Sequence, residues 1–261
     1  MPISFTSRPS LIAYVPCGDP DLATTYDIVL GAIHAGASVI ELGVPFSDPV
    51  ADGPVIQRAS QRALRQGTTL QQVIGLAKDI RRQSQAGLII FSYLNPILRM
   101  GLANFAQAAQ EAGLDGALIT DLPVEEAGGY LQEMRQRNLA TVFLAAPTST
   151  GERLRQIAQA STGFVYAVSR AGVTGARQQL PDDAQKLVRR IRKYSKLPVA
   201  VGFGISTPEQ FAAVGEFADA AVVGSAIVEI IERNPGREAQ SVAEFVKQLS
   251  AVSSPPSARK M

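Results

Sequence analysis

The sequence holds one cysteine and one histidine in 261 residues, and each scarcity closes off a class of chemistry. Cys17, standing alone, forms no internal disulfide and supports no cysteine-built zinc site. His34, on a helical stretch before the second strand-like run, leaves a histidine-built metal centre without its ligands and reads as a surface or packing residue. Charge of one sign is equally scarce: 25 basic residues stand against 23 acidic ones, scattered along the chain, for a net charge of +2. Such a balance carries no electrostatic footprint for nucleic acid or for an anionic membrane. An N-terminal h-region is missing, as is any apolar run of about 18 residues, so the chain is expected to be neither exported nor anchored, with the cytoplasm as its address.

Apolar content, by contrast, is ample. At 46% hydrophobic, 261 residues suffice for one large core at the size of a single α/β barrel. The expectation is one domain over residues 1–252 with a disordered tail over 253–261, S-S-P-P-S-A-R-K-M. Short apolar runs that read as strands recur at 11–15, 39–42, 88–93, 116–120, 141–145, 164–168, 199–202 and 220–223. Amphipathic stretches between them predict helices at 22–35, 55–65, 70–83, 102–112, 125–137, 152–160, 182–194, 208–214 and 226–233, with a last one at 238–252. Continuously apolar strands alternating with helices imply a parallel sheet buried on both faces, and eight such units close into a (β/α)8 TIM barrel. A doubly wound open sheet is the alternative fold.

The stretch from Ile40 to Pro54 is the most unusual. A short strand runs into Glu41 and then into a loop with Asp48 and Asp52, set among Pro45, Pro49 and Pro54 and between Gly43 and Gly53. Three prolines stiffen a loop where a plain turn would need only polarity. In a barrel, chemistry sits at the carboxyl ends of the strands. Side chains alternate along a strand, so Glu41 shares a face with Val39 and Gly43, while Ile40 and Leu42 take the face suited to packing against helices. Glu41 is therefore expected to point into the barrel mouth. A carboxyl among apolar residues resists ionisation and can give as well as take a proton near neutral pH. The blander alternative is a buried glutamate paired with an arginine. Other acids near strand ends are Asp19 and Asp121.

The opposite side of the mouth is rich in glycine instead. Gly202-Phe203-Gly204 follows strand 7, Gly224-Ser225 follows strand 8 and opens a helix, and strand 6 leads into S-R-A-G-V-T-G-A-R at 169–177. Glycines let backbone N–H groups approach an oxyanion, and a helix N-terminus adds positive potential, so these loops are a candidate phosphate site; close packing and helix capping are the alternative. Several barrel chemistries then fall away. All six lysines, Lys78, Lys186, Lys193, Lys196, Lys247 and Lys260, fall on helices, in a helix-to-strand connection or in the tail, which removes a Schiff-base aldolase. A triose isomerase arrangement needs histidine and lysine at the mouth. What remains is carboxylate acid/base catalysis on a phosphorylated substrate. Tyr14, Phe91, Leu118 and Phe203, at strand ends, are candidates to bed an apolar ring.

E-L-G-V-P-F-S-D-P-V-A-D-G-P-V-I-Q at 41–57, D-L-P-V-E-E at 121–126, the 169–177 loop, V-G-F-G-I-S at 201–206 and V-G-S-A-I-V at 223–228 together resemble the tryptophan synthase alpha chain family. The resemblance runs from Ile12 to about Asn234 and implies retro-aldol cleavage of indole-3-glycerol phosphate to indole and glyceraldehyde 3-phosphate. No cofactor is implied in this chain. The partner implied is a pyridoxal-phosphate beta chain, joined in an αββα assembly and fed indole through a tunnel. Carried over by motif, Glu41 and Asp52 are the catalytic acids and Tyr166 orients Glu41. Gly175, Gly204, Gly224 and Ser225 bind phosphate, and Thr174 belongs to a mobile lid. Pro45, Ser47, Asp48 and Pro49 lie where the family meets its beta chain. The segment before strand 1 is shorter than the N-terminal helix usual in the family, so a different closure of the barrel bottom is expected. A free-standing indole-releasing lyase and a non-catalytic activating subunit are the alternative functions.

Overall fold

A computed structural model describes residues 3, 5, 7–168, 182–202 and 204–253. In chain order come β1 (Ser10–Pro16), α1 (Leu22–His34), β2 (Ala37–Gly43), α2 (Pro54–Arg65), α3 (Leu70–Arg81) and β3 (Gly87–Ser92). Next are α4 (Leu94–Met100), α5 (Leu102–Glu111), β4 (Gly116–Ile119), a 3₁₀ turn (Val124–Glu126), α6 (Gly128–Gln136), β5 (Ala140–Ala145), α7 (Gly151–Ala160) and β6 (Val165–Val168). The described chain ends with α8 (Asp182–Ile191), β7 (Val199–Gly202), α9 (Pro208–Gly215), β8 (Ala220–Val223), α10 (Ser225–Arg233) and α11 (Glu238–Ser250). All eight strands pair in parallel with their sequence neighbours and β8 closes on β1, which makes the expected (β/α)8 barrel.

Alternation along the strands sorts the apolar residues into two layers. Ile12, Val39, Ile89, Leu118, Val142, Phe164, Ala200, Ala220 and Val222 fill the barrel interior, while residues such as Ile40, Leu42, Leu88 and Ile90 pack outward under the helices. Each large aliphatic side chain buried this way contributes about 1.5–3 kcal/mol. Helix starts are set locally. Asp21 accepts from the Thr24 N–H at 2.7 Å to cap α1, and Thr69 with Gln72 forms a capping box on α3. Ile3 packs into the interior cluster, and the Phe5 ring meets Phe164 edge to face at 5.8 Å between centroids, so the barrel bottom is plugged by single side chains.

Two elements differ from expectation. The single helix expected over 125–137 is a 3₁₀ turn and then α6, interrupted at Ala127; the Gly128-Gly129 pair that follows favours the break. The α4 helix is a correction, since the run expected to end strand 3 at Tyr93 stops at Ser92. Tyr93 is the N-cap of α4, and Pro96 sits in the first turn, where its missing N–H costs nothing. Other helix ends move by one to three residues. Most of the expected tail lies outside the described residues, whereas Ser253 donates from Oγ to the Pro9 carbonyl at 3.0 Å.

Candidate active site

Glu41 lies on β2 between Tyr14 of β1 and Ile89 of β3, its register partners, and faces the barrel interior with Val39. It is 0% exposed. Among the described residues neither carboxyl oxygen has a hydrogen-bond partner, so the alternative of a structural ion pair with arginine is not met there. Burial pushes its carboxyl up to about 8, because the charged form has lost its water. Glu41 is then mainly protonated at neutral pH.

The loop after β2 carries the second acid. Pro45 is buried against its own chain, Pro49 is half-buried, and Ser47, Asp48 and Val50 project outward, with Ser47 Oγ donating to Asp48 Oδ2 at 2.6 Å. Asp52 is half-buried just before Gly53, the N-cap of α2. Burial raises its carboxyl to about 6, against the opposing effect of a hydrogen bond from the Tyr93 hydroxyl. Tyr93 is a residue that sequence reasoning missed. Its hydroxyl also accepts the Ala51 N–H at 2.9 Å, and its ring stacks on Phe46 at 5.0 Å, so one tyrosine pins three points of the loop. The only hint in the sequence is an aromatic residue at the end of strand 3, one register step from the acid loop.

Asp19 and Asp121, the other acids near the mouth, serve structure. Arg62 of α2 donates Nε to Asp19 Oδ1 and Nη2 to Oδ2, both at 2.7 Å, and reaches Glu232 of α10 at 2.8 Å. Arg58 joins the same Glu232 at 2.7 Å, so α2 is clamped between the loop after β1 and α10. Asp121 accepts the Leu94 N–H at 2.7 Å and caps α4.

Aromatic rings line the mouth where glycines make room. The Tyr14 ring lies over Gly43, where an added Cβ would stand 2.6 Å from Cζ, and it meets Phe91 edge to face at 5.0 Å. Tyr166 of β6 lies likewise over Gly202, with ring carbons 2.7 Å from such a Cβ. Leu118 sits deeper, fully buried in the interior layer, and so belongs to the core. Across the mouth, Gly204 has φ +26° and is exposed at the end of β7. Gly224 is the N-cap of α10 without a side-chain cap, and the adjoining Ser225 is exposed. That leaves first-turn N–H groups and a hydroxyl available to an anion. Thr174, Gly175 and Phe203 lie outside the described residues.

A carboxyl held neutral at a barrel mouth, a second acid on a proline-set loop and a helix N-terminus opposite form one constellation. The family model described as tryptophan synthase alpha chain matches residues 3–254. The chain belongs to the tryptophan synthase alpha chain family. A tryptophan synthase alpha chain from Solibacter usitatus is 52% identical over 245 residues, 93% of this chain and 92% of that one. Another from Geotalea daltonii is 46% identical over 245 residues, 94% of this chain and 93% of that one. Among solved structures, a chain of the tryptophan synthase complex from Pyrococcus furiosus superposes with a TM-score of 0.87 at 39% identity, over 94% of this chain and 99% of that one. The family match thus takes in every strand of the barrel. Among the described residues, no helix is long and apolar enough to cross a membrane.

Proposed function

We propose that the chain cleaves indole-3-glycerol phosphate to indole and glyceraldehyde 3-phosphate as the alpha subunit of a tryptophan synthase. The observation that carries the mechanism is the buried carboxyl of Glu41, without a hydrogen-bond partner among the described residues and held protonated to about pH 8. Indole is a poor carbanion leaving group, so C3 must be protonated first, and Glu41 gives that proton. The positive charge that develops at the indole nitrogen is stabilised by Asp52, whose carboxylate accepts a hydrogen bond from the ring N–H. Glu41, now a carboxylate, removes the proton of the glycerol hydroxyl. The C–C bond breaks, its electron pair neutralises the ring, and the hydroxyl carbon becomes the aldehyde. Glu41 ends protonated again.

The phosphate is held by the backbone of Gly204 and Gly224 and the Ser225 hydroxyl, together with Gly175 and the Thr174 lid. Tyr14, Phe91 and Phe203 bed the indole ring, and Tyr166 orients Glu41. Glu41 supplies both the acid and the base of this half-reaction and Asp52 the charge stabilisation; pyridoxal phosphate is assigned to a beta chain, which converts indole to tryptophan. Docking of that partner, as αββα, is assigned to the loop bearing Pro45, Ser47, Asp48 and Pro49, where Val50 stands 87% exposed.

Indole formation by the purified chain, alone and with a beta chain added, tests the reading. Slow turnover that rises sharply on mixing is expected, as is a loss of at least ~100-fold in Glu41→Gln with folding intact. High activity unchanged by mixing would favour the free-standing lyase. An inactive parent chain would leave an activating subunit, and a fully active Glu41→Gln would refute the acid/base assignment.

A further inference from the structure

The proton transfers assigned to Glu41 have an unfilled requirement. Once its proton is given to the substrate, a carboxylate remains in a site that is 0% exposed and in which neither oxygen has a partner among the described residues. A buried charge without a hydrogen-bond donor is costly, and the cost falls on the step in which Glu41 must act as base. Besides Tyr166, assigned above to orient Glu41 from β6 on the opposite side of the barrel, a donor can come from a side chain on the strand next to it.

Tyr14 meets that description. It is the direct register partner of Glu41 across the β1–β2 pair, and both side chains face the interior. Its position is tightly defined. The ring lies over Gly43, which tolerates no Cβ there, it packs edge to face on Phe91, and its own Cβ lies 3.6 Å from where a Cβ on Gly224 would stand. Buried Ala59 and Val228, from α2 and α10, complete its packing. An aromatic ring alone would serve that packing. The hydroxyl adds a polar atom, in a dry setting, close to both catalytic acids. Among the described residues, the titratable groups that act on it are Asp52 from the loop after β2, Cys17 from the loop after β1, Glu41 itself, and Tyr93 from the N-cap of α4; Glu41 also acts on Tyr166 from β6. Burial and these acids keep the Tyr14 phenol protonated, so it remains a donor across the working range.

We propose that Tyr14 is a positioning residue for catalysis, its hydroxyl donating a hydrogen bond to the Glu41 carboxylate, which swings toward it once ionised, in the interval between the two proton transfers. The inference rests on the acid/base role of Glu41. The Tyr14 proton stays on its oxygen throughout, so the balance of the reaction is unchanged; the donor only stabilises the ionised form of its neighbour. Without it, Glu41 ionises less readily, and the loss appears in turnover more than in substrate affinity.

The experiment is indole formation over pH 5.5–9 by Tyr14→Phe, Tyr14→Leu and Glu41→Gln, each assembled with a beta chain. Tyr14→Phe keeps the ring and the fold. It is expected to lower kcat about 10-fold with KM within about 2-fold, and to move the alkaline limb upward by about half a pH unit or more. Tyr14→Leu is expected to raise KM as well, because the ring is lost. A Tyr14→Phe variant with parental kcat and an unmoved limb, beside an inactive Glu41→Gln, would overturn this inference alone. Equal kcat losses in the Phe and Leu variants without any movement of the limb would assign Tyr14 to packing and overturn it too. Activity in Glu41→Gln would remove both this inference and the reading beneath it.

Discussion

Glu41 and Asp52 titrate on opposite sides of neutrality for the same physical reason, loss of water, applied to different degrees. Glu41 is wholly enclosed and has no hydrogen-bond partner among the described residues, so burial carries it to about 8, whereas Asp52 is half-buried and helped by the Tyr93 hydroxyl, so it stops near 6. The proposed chemistry needs the first protonated and the second ionised. Between the two values both conditions hold. A plot of kcat/KM against pH is therefore expected to be bell-shaped, falling below about 6 as Asp52 takes up a proton and above about 8 as Glu41 loses one. Tyr93→Phe removes the hydrogen bond that holds Asp52 down, so its acid limb is expected to shift toward neutrality while the alkaline limb stays. An acid limb that ignores Tyr93→Phe would dissociate that tyrosine from Asp52.

The acids do not stand on loops alone, because helix α2 fixes where the loop after β2 ends. Its N-cap, Gly53, offers no side-chain cap, and the Gln57 amide reaches back from the first turn to donate to the Asp52 carbonyl at 2.8 Å. Arg62, in the last turn, anchors the helix as a body by binding Asp19, whose side chain is 2% exposed, and Glu232 together. Arg62→Ala leaves the Asp19 carboxylate buried without that partner. A loss of about 2–3 kcal/mol in urea unfolding is expected, discounted from a fully buried pair because the Arg62 side chain is 32% exposed. Activity should fall as well, since the helix that follows the Asp52 loop loses its anchor. An unchanged urea midpoint would show that the network contributes only surface charge. None of this was legible in the sequence, where Asp19 read as one more acid at a strand end; a partner 43 residues away and another 170 residues from Arg62 exist only once the barrel closes.

At the scale of the whole barrel, the sequence carried most of the plan. Continuous apolar runs at eight places required a parallel sheet covered on both faces, and the inward direction of Glu41 followed from the side-chain period alone. The α4 helix was not legible, because seven residues with Pro96 in the first turn look like a connection. Tyr93 was missed with it, since its partners lie in a loop more than 40 residues earlier. A protein organised around one desolvated carboxyl also bears a cost spread over the entire fold. The folded-state value of Glu41 is raised to about 8, above the ordinary 4.5, so the stability of its protonated form is complete at low pH and is lost progressively as pH rises between those values. Each unit of such a shift costs about 1.4 kcal/mol at the alkaline end. Glu41→Gln removes the ionisation and adds only a pH-independent offset for its buried amide. Melted in parallel at pH 4.5 and at pH 8, variant and parent are expected to diverge in favour of the variant at the higher pH, by about 2–4 °C of Tm for every kcal/mol. A Tm difference that stays constant across that interval would mean that Glu41 ionises as freely in the fold as in the unfolded chain, and the raised carboxyl on which the acid step depends would not exist.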